Sequence, residues 1–258
     1  VAAVDLAFEE FGRPDDLPLI ILHGFFASSR NWRSIAKKLS AKFHVYALDM
    51  RNHGVSPHNS FMDYPAMAAD LLLFLDNYRL KPVGLLGHSM GGKVAMWFAL
   101  NNPGYVNKLI VVDIAPVSYK HGFDNIIKAL KALPLGEISN RKQAEMLLAS
   151  AIPELSYRQF LLQNLVLKNG AYCWRIDLDI FYRMAPNIIA FPDTDHLAPF
   201  TGKTLFIAGE NSGYVSPYDI TKLFSQATLS IVANAGHWLH VRRPDVFIAL
   251  VEKFLQHG

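Results

Sequence analysis

Ser89 lies in Gly87-His-Ser-Met-Gly91, a G-x-S-x-G pentapeptide that directly follows the apolar run Val83–Leu86. A serine hydroxyl is a weak nucleophile until a base removes its proton. Where a strand turns sharply into a helix, the serine is held exposed, beside helix N–H groups that favour developing negative charge. Gly87 and Gly91 then let neighbouring chain pass where a Cβ would clash. The pentapeptide alone fits a glycine-rich turn with a serine cap equally well, so the base decides between the two. His237, in Ala235-Gly-His-Trp238, follows the run Leu229–Ala233 and precedes an expected helix from Pro244 to Gln256. In a parallel sheet both residues leave strand ends on the same edge, as nucleophile and base must.

A third group, a carboxylate, has to orient the imidazole and stabilise its protonated form. In many proteins of such architecture it follows the strand that here ends at Ala208, but the sequence reads Gly209-Glu-Asn-Ser212 and Ser212 stands where an aspartate is expected. The strand ending at Val112 runs straight into Asp113, one strand nearer the nucleophile. Asp113 is therefore the first choice and Glu210 the reserve, the bland alternative for Asp113 being a cap on the Ala115 or Ser118 backbone. Acyl chemistry also needs donors aimed at an oxyanion. The Met90 N–H follows the nucleophile, and Gly24 in His23-Gly-Phe-Phe26 allows the Phe25 N–H to turn inward. His23 is expected to hold that loop. The segment Asp49–Ser56, including His53, is expected to form a hydrogen-bonded turn behind the site.

These side chains need a scaffold that delivers strand ends to one edge. Short apolar runs at 18–22, 43–48, 83–86, 109–112, 204–208 and 229–233 read as buried strands, with amphipathic stretches such as Tyr64–Tyr78 between them. The alternation predicts an α/β fold, a mostly parallel sheet with helices on both faces. It breaks once, over 117–199, where helical periodicity without a buried strand predicts an inserted helical cap. Helix starts are expected at Ser139 and at Ser156, the latter with Gln159 as a capping box. The organisation is thus a core of 1–116 and 200–258 with a cap of 117–199, bounded by Pro116 and Pro199.

Composition narrows the function classes. Lys and Arg number 25 against 22 Asp and Glu, for a net charge of +3, and they are scattered, which argues against a nucleic-acid partner. A single cysteine, Cys173, precludes an internal disulfide and fits a reducing cytoplasm; buried packing is its expected role. No apolar run approaches the about 18 residues of a membrane span. The acidic Asp5, Glu9 and Glu10 do not suit a signal peptide, although Val1 is not an initiator methionine and leaves a trimmed leader open. Asp193-Thr-Asp-His196 has metal-ligand residue types but reads as turns and caps. Gly202-Lys-Thr204 precedes a strand where a phosphate loop must follow one. No metal or bound cofactor is expected.

Taken together, His23-Gly24, Arg51-Asn-His-Gly54, Gly87-His-Ser-Met-Gly91 and Gly236-His237 resemble the motifs of the α/β-hydrolase superfamily. With Tyr64-Pro-Ala-Met67, Lys93, Asp113-Ile-Ala-Pro116 and Asn211-Ser212 added, the pattern resembles the bacterial YbfF esterases. The resemblance implies a small esterase with a helical cap, its acid after the sixth strand and mapped onto Asp113. It further implies acyl esters or acyl-CoA thioesters as substrates, with Trp238 lining the acyl path. Acyltransferases, carbon–carbon hydrolases and perhydrolases use the same three residues, and a binding protein that has lost catalysis stays as the rival of another class.

Overall fold

The computed structural model describes residues 2–120 and 122–257; the question attached to Val1 falls outside them. The chain runs β1 (Phe8–Phe11), β2 (Pro18–Leu22), α1 (Arg33–Leu39), β3 (His44–Leu48), α2 (Tyr64–Asn77), β4 (Val83–His88), α3 (Met90–Asn101) and β5 (Val106–Val112). It continues with α4 (Asp124–Lys131), α5 (Arg141–Leu147), α6 (Leu155–Leu161), β6 (Leu165–Lys168), β7 (Ala171–Trp174) and α7 (Leu178–Ile189). It ends with β8 (Lys203–Gly209), α8 (Pro217–Thr221), β9 (Ala227–Val232), α9 (Leu239–Arg242) and α10 (Pro244–His257). Strand order in the main sheet is β1-β3-β2-β4-β5-β8-β9. All neighbours are parallel except β1, which pairs antiparallel with β3.

The sheet is buried on both faces because its strands alternate between two apolar cores. Leu85, Leu109 and Val111 face α2 and α3, whereas Leu86, Ile110 and Val112 face α1 and α10. A parallel sheet with helices on both sides forces this continuous apolarity, which is why each expected strand from 18–22 to 229–233 is found. β1 is the strand that the periodicity does not reveal: Phe8-Glu-Glu-Phe11 is a half-exposed edge of four residues. Placing β1 first makes β5 the fifth strand in chain order, so Asp113 follows the fifth strand here and not the sixth.

Between β5 and β8 the segment carries α4 to α7 and, against expectation, an antiparallel hairpin, β6–β7, turned by Asn169 and Gly170 with φ 52° and 81°. Asn-Gly is a strong hairpin signal, because both turn residues need positive φ. The second helix start also shifts. α6 begins at Leu155 with Glu154 as its N-cap, and the Ser156 hydroxyl donates to the Glu154 carboxylate, so Ser156 does not open a capping box. Asn140, not Ser139, caps α5 by accepting from the Gln143 N–H. Cys173 is half-buried on β7 rather than buried.

Candidate active site

Three strand ends meet at the carboxyl edge of the sheet. β4 delivers Ser89, whose backbone sits at φ 54° and ψ −120° as β4 turns into α3. Glycine is needed on both sides: a Cβ on Gly87 would lie 2.2 Å from the Gly91 carbonyl oxygen, and one on Gly91 would lie 2.4 Å from that of Leu22. β5 delivers Asp113, also left-handed at φ 53°. The loop after β9 delivers His237. His237 Nε2 lies 3.0 Å from Ser89 Oγ, and His237 Nδ1 lies 2.7 Å from Asp113 Oδ2. The carboxylate accepts, so Nδ1 carries the ring proton and Nε2 is the free base facing the serine.

Asp113 is fully buried, and both of its carboxylate oxygens accept hydrogen bonds. Oδ1 accepts from the Gly209 N–H at 3.0 Å, and Oδ2 accepts from the Ser212 hydroxyl at 2.6 Å. Ser212 therefore stands where an acid was expected and instead donates to the acid one strand away. Its contribution was not read from the sequence, although the substitution at that position was the signal. Glu210, the reserve, points elsewhere: its carboxylate accepts from the Asn234 N–H and has no contact with His237 among the described hydrogen bonds. Nor does Asp113 cap Ala115, whose N–H donates to the Tyr119 hydroxyl.

No described hydrogen bond takes the N–H of Phe25 or of Met90, the first residue of α3, and both residues line the cavity at Ser89. The left-handed residue in the Phe25 loop is Phe26, at φ 65°, and not Gly24. Gly24 is required for space: a Cβ there would come 3.1 Å from His88 Nδ1 and 3.3 Å from Ser89 Cβ. His23 locks this loop as expected, bonding the Gly24 carbonyl through Nδ1 and accepting the Met50 N–H at Nε2. Asp49 accepts from the Ser29 and Val55 N–H groups, and Arg51 forms a buried ion pair with Asp70. Burial raises the Asp70 carboxyl while Arg51 opposes the rise. His53 bonds the Arg51 carbonyl and packs on Phe25 and Phe181; burial, with His23 nearby, pushes it well below its ordinary range.

Ser89 and His237 open into a cavity of about 380 Å³. One wall is core: Tyr64, Lys93, Ile114 and Trp238. The opposite wall comes from the segment between β5 and β8: Phe123, Ile126, Tyr157, Phe160, Ile188 and Ile189. Trp238 packs on Tyr157 and Phe160 with ring centroids 5.5 and 5.8 Å apart, so it joins the two walls. Such an apolar chamber with a few convergent polar groups suits a substrate with a carbonyl and a hydrocarbon part. Asp193 accepts from the Asp195 N–H within its own turn, and no group of possible metal ligands is found among the described residues.

Residues 18–244 match the family described by the alpha/beta hydrolase fold. The chain belongs to that family, and within it to the carboxylic ester hydrolases. It is 42% identical over 251 residues to the sn-1-specific diacylglycerol lipase ABHD11 of Mus musculus, covering 93% of this chain and 81% of that protein. It is 35% identical to Esterase YbfF of Escherichia coli, covering 92% of each, which bears out the resemblance drawn from the motifs. A solved structure, a marine microorganism esterase, superposes with a TM-score of 0.93 at 40% identity, covering 98% of this chain and all of that one. No described helix is long and apolar enough to cross a membrane.

Proposed function

We propose that this chain is a serine esterase that cleaves carboxylic esters or acyl-CoA thioesters through an acyl-enzyme. His237 takes the Ser89 proton, and Ser89 Oγ attacks the carbonyl carbon. The N–H groups of Phe25 and Met90 hold the oxyanion, and imidazolium His237 returns its proton to the leaving alkoxide or thiolate. Water deprotonated by His237 then adds to the acyl-enzyme, and the acid leaves as Ser89 recovers its proton. Asp113 keeps the ring oriented through both stages and stabilises its charged form. The segment 117–199 acts as a cap, and Trp238 with Tyr157 and Phe160 lines the acyl path. With the Mus musculus relative named as a diacylglycerol lipase, acylglycerols join the ester candidates. Action in a reducing cytoplasm belongs to the same proposal.

The observation that carries this reading is the unbroken hydrogen-bonded row from Ser89 through His237 to Asp113, opening into an apolar cavity that Phe25 and Met90 line. The test is intact mass after fluorophosphonate treatment of wild type and Ser89→Ala, with turnover of p-nitrophenyl esters and acyl-CoAs alongside. One adduct on the wild type, lost together with turnover in Ser89→Ala, is expected. Wild-type turnover in Ser89→Ala overturns the proposal.

A further inference from the structure

The loop that carries His237 is held from behind by a second histidine. His88, the last residue of β4 and the chain neighbour of Ser89, is buried, and its Nε2 lies 2.9 Å from the main-chain carbonyl oxygen of His237. A carbonyl can only accept, so this nitrogen carries the proton and Nδ1 bears the lone pair. That second nitrogen lies beside Gly24, where a Cβ would come within 3.1 Å of it. One side chain therefore touches both the oxyanion loop and the loop of the base. The His88 ring lies 4.7 Å from that of His237 and 4.6 Å from that of His240, which is itself stacked flat on Trp32 at 4.3 Å.

We propose that His88 is a positioning residue for His237: its imidazole donates to the His237 carbonyl and keeps the base over Ser89. This rests on the esterase reading above. The donor has to be neutral because His237 becomes a cation in the transition state, and a charged donor 4.7 Å away would oppose that charge in a dry site. The surroundings enforce neutrality. The titratable groups around it are His237, His240 and His23, with no carboxylate among them, and burial together with these neighbours holds His88 well below its ordinary pKa. His88, packed edge-on against His240, thus holds the base in place without competing for its proton.

The test pairs His88→Leu, which lacks the donor, with His88→Gln, a neutral side chain that can still donate. On a p-nitrophenyl ester we expect His88→Leu to lower kcat about tenfold to a hundredfold with KM changed less than threefold, the cost of a misplaced base. Fluorophosphonate labelling should slow in parallel, and His88→Gln should recover most of both rates. Unchanged kcat in His88→Leu, or equal losses in two well-folded variants, overturns the proposal. Nitrogen NMR of histidine-labelled wild type reads the same idea without any variant. His88 should stay neutral, protonated at Nε2, from pH 5 to 8; a His88 that gains a proton in that range overturns it. Failure of the esterase reading would appear separately, as absence of wild-type labelling by fluorophosphonate.

Discussion

At the edge of the sheet, position is fixed by backbone that few residues adopt willingly. Phe26, Ser89 and Asp113 are all left-handed without being glycine, each at a cost of about 1–2 kcal/mol. Gly87 and Gly91 admit no side chain at all. Across the cavity residues 117–199 show no such strain among those described outside the Asn169-Gly170 turn. They lie on the core through apolar side chains and a few polar latches. Tyr64 Oη donates to the Ile188 carbonyl at 2.5 Å, and Lys93 Nζ donates to those of Ile189 and Ala190 at 2.7 and 3.0 Å. These carbonyls end α7, where a helix leaves its acceptors without partners, so α2 and α3 cap a helix of the opposite wall. Asn164 adds a bond to the Phe26 carbonyl. On the proposed function the contrast separates two tasks: strained, sterically crowded backbone sets the reacting atoms, and apolar surface sets what they receive.

The sharpest way to break this division is at Asp113. With its amide in place of the carboxylate, Asp113→Asn should reduce kcat about 10⁴-fold, the loss seen when the orienting acid of such a set becomes an amide. Glu210→Gln should leave kcat within about twofold, since that side chain only braces the Asn234 backbone and exposed contacts of this kind are worth little. Steady-state rates on one ester suffice. Comparable losses in both variants would mean that the acid is not fixed by β5 alone.

The latch predicts a pH-dependent effect on stability. Burial pushes Lys93 down to about 7, while an unfolded lysine titrates near 10.5. Between those values the unfolded chain binds the proton and the folded chain releases it, so stability rises with pH through the window and the burial penalty is fully present below about 7. Relative to Lys93→Met, the wild type should gain about 2 kcal/mol of unfolding free energy between pH 7 and 9, read by urea titration. A difference that stays flat, or falls, over that range would show that Lys93 keeps its charge against the α7 carbonyls.

The opposite wall should respond in selectivity. Tyr157→Ala or Phe160→Ala shortens the aromatic surface that meets Trp238 and should shift the ratio of kcat/KM for long and short acyl esters about tenfold. kcat on the shortest ester should hardly move. If kcat on that ester falls as far as in Asp113→Asn, the two walls do not divide the work in this way.

Legibility in the sequence followed the same division. Ser89, His237 and Asp113 could be read because strand ends and glycine spacing are local signals that a parallel sheet brings to one edge. The buried strands were legible because both their faces are apolar. The β6–β7 hairpin went unread although Asn169-Gly170 announced it, since Leu165–Lys168 and Ala171–Trp174 are short and half-exposed and lay inside a stretch of helical periodicity. Phe26, and not Gly24, takes the left-handed backbone of that loop, and a glycine needed for space and one needed for conformation look alike in sequence. The latch of Lys93 on α7 spans 96 residues and has no sequence signature.

Ser212 sharpens the comparison at its finest point. Its hydroxyl lies in the loop after β8, yet it donates at 2.6 Å to the acid carried by β5, so two strand ends share one carboxylate. Ser212→Ala removes one donor but leaves the Gly209 N–H on the other oxygen and His237 on the same one. The carboxylate then loses one charge-assisted bond, worth about 1.5 kcal/mol, against roughly four powers of ten when the charge itself is lost. A fall in kcat of about tenfold, with KM unchanged, is therefore expected. Ser212→Asp should be worse than alanine, because a second carboxylate against Asp113 would repel it and compete for the His237 proton. If the aspartate variant instead matches wild type and rescues Asp113→Asn, the site accepts its acid from either strand, and β8 is as able as β5 to hold it.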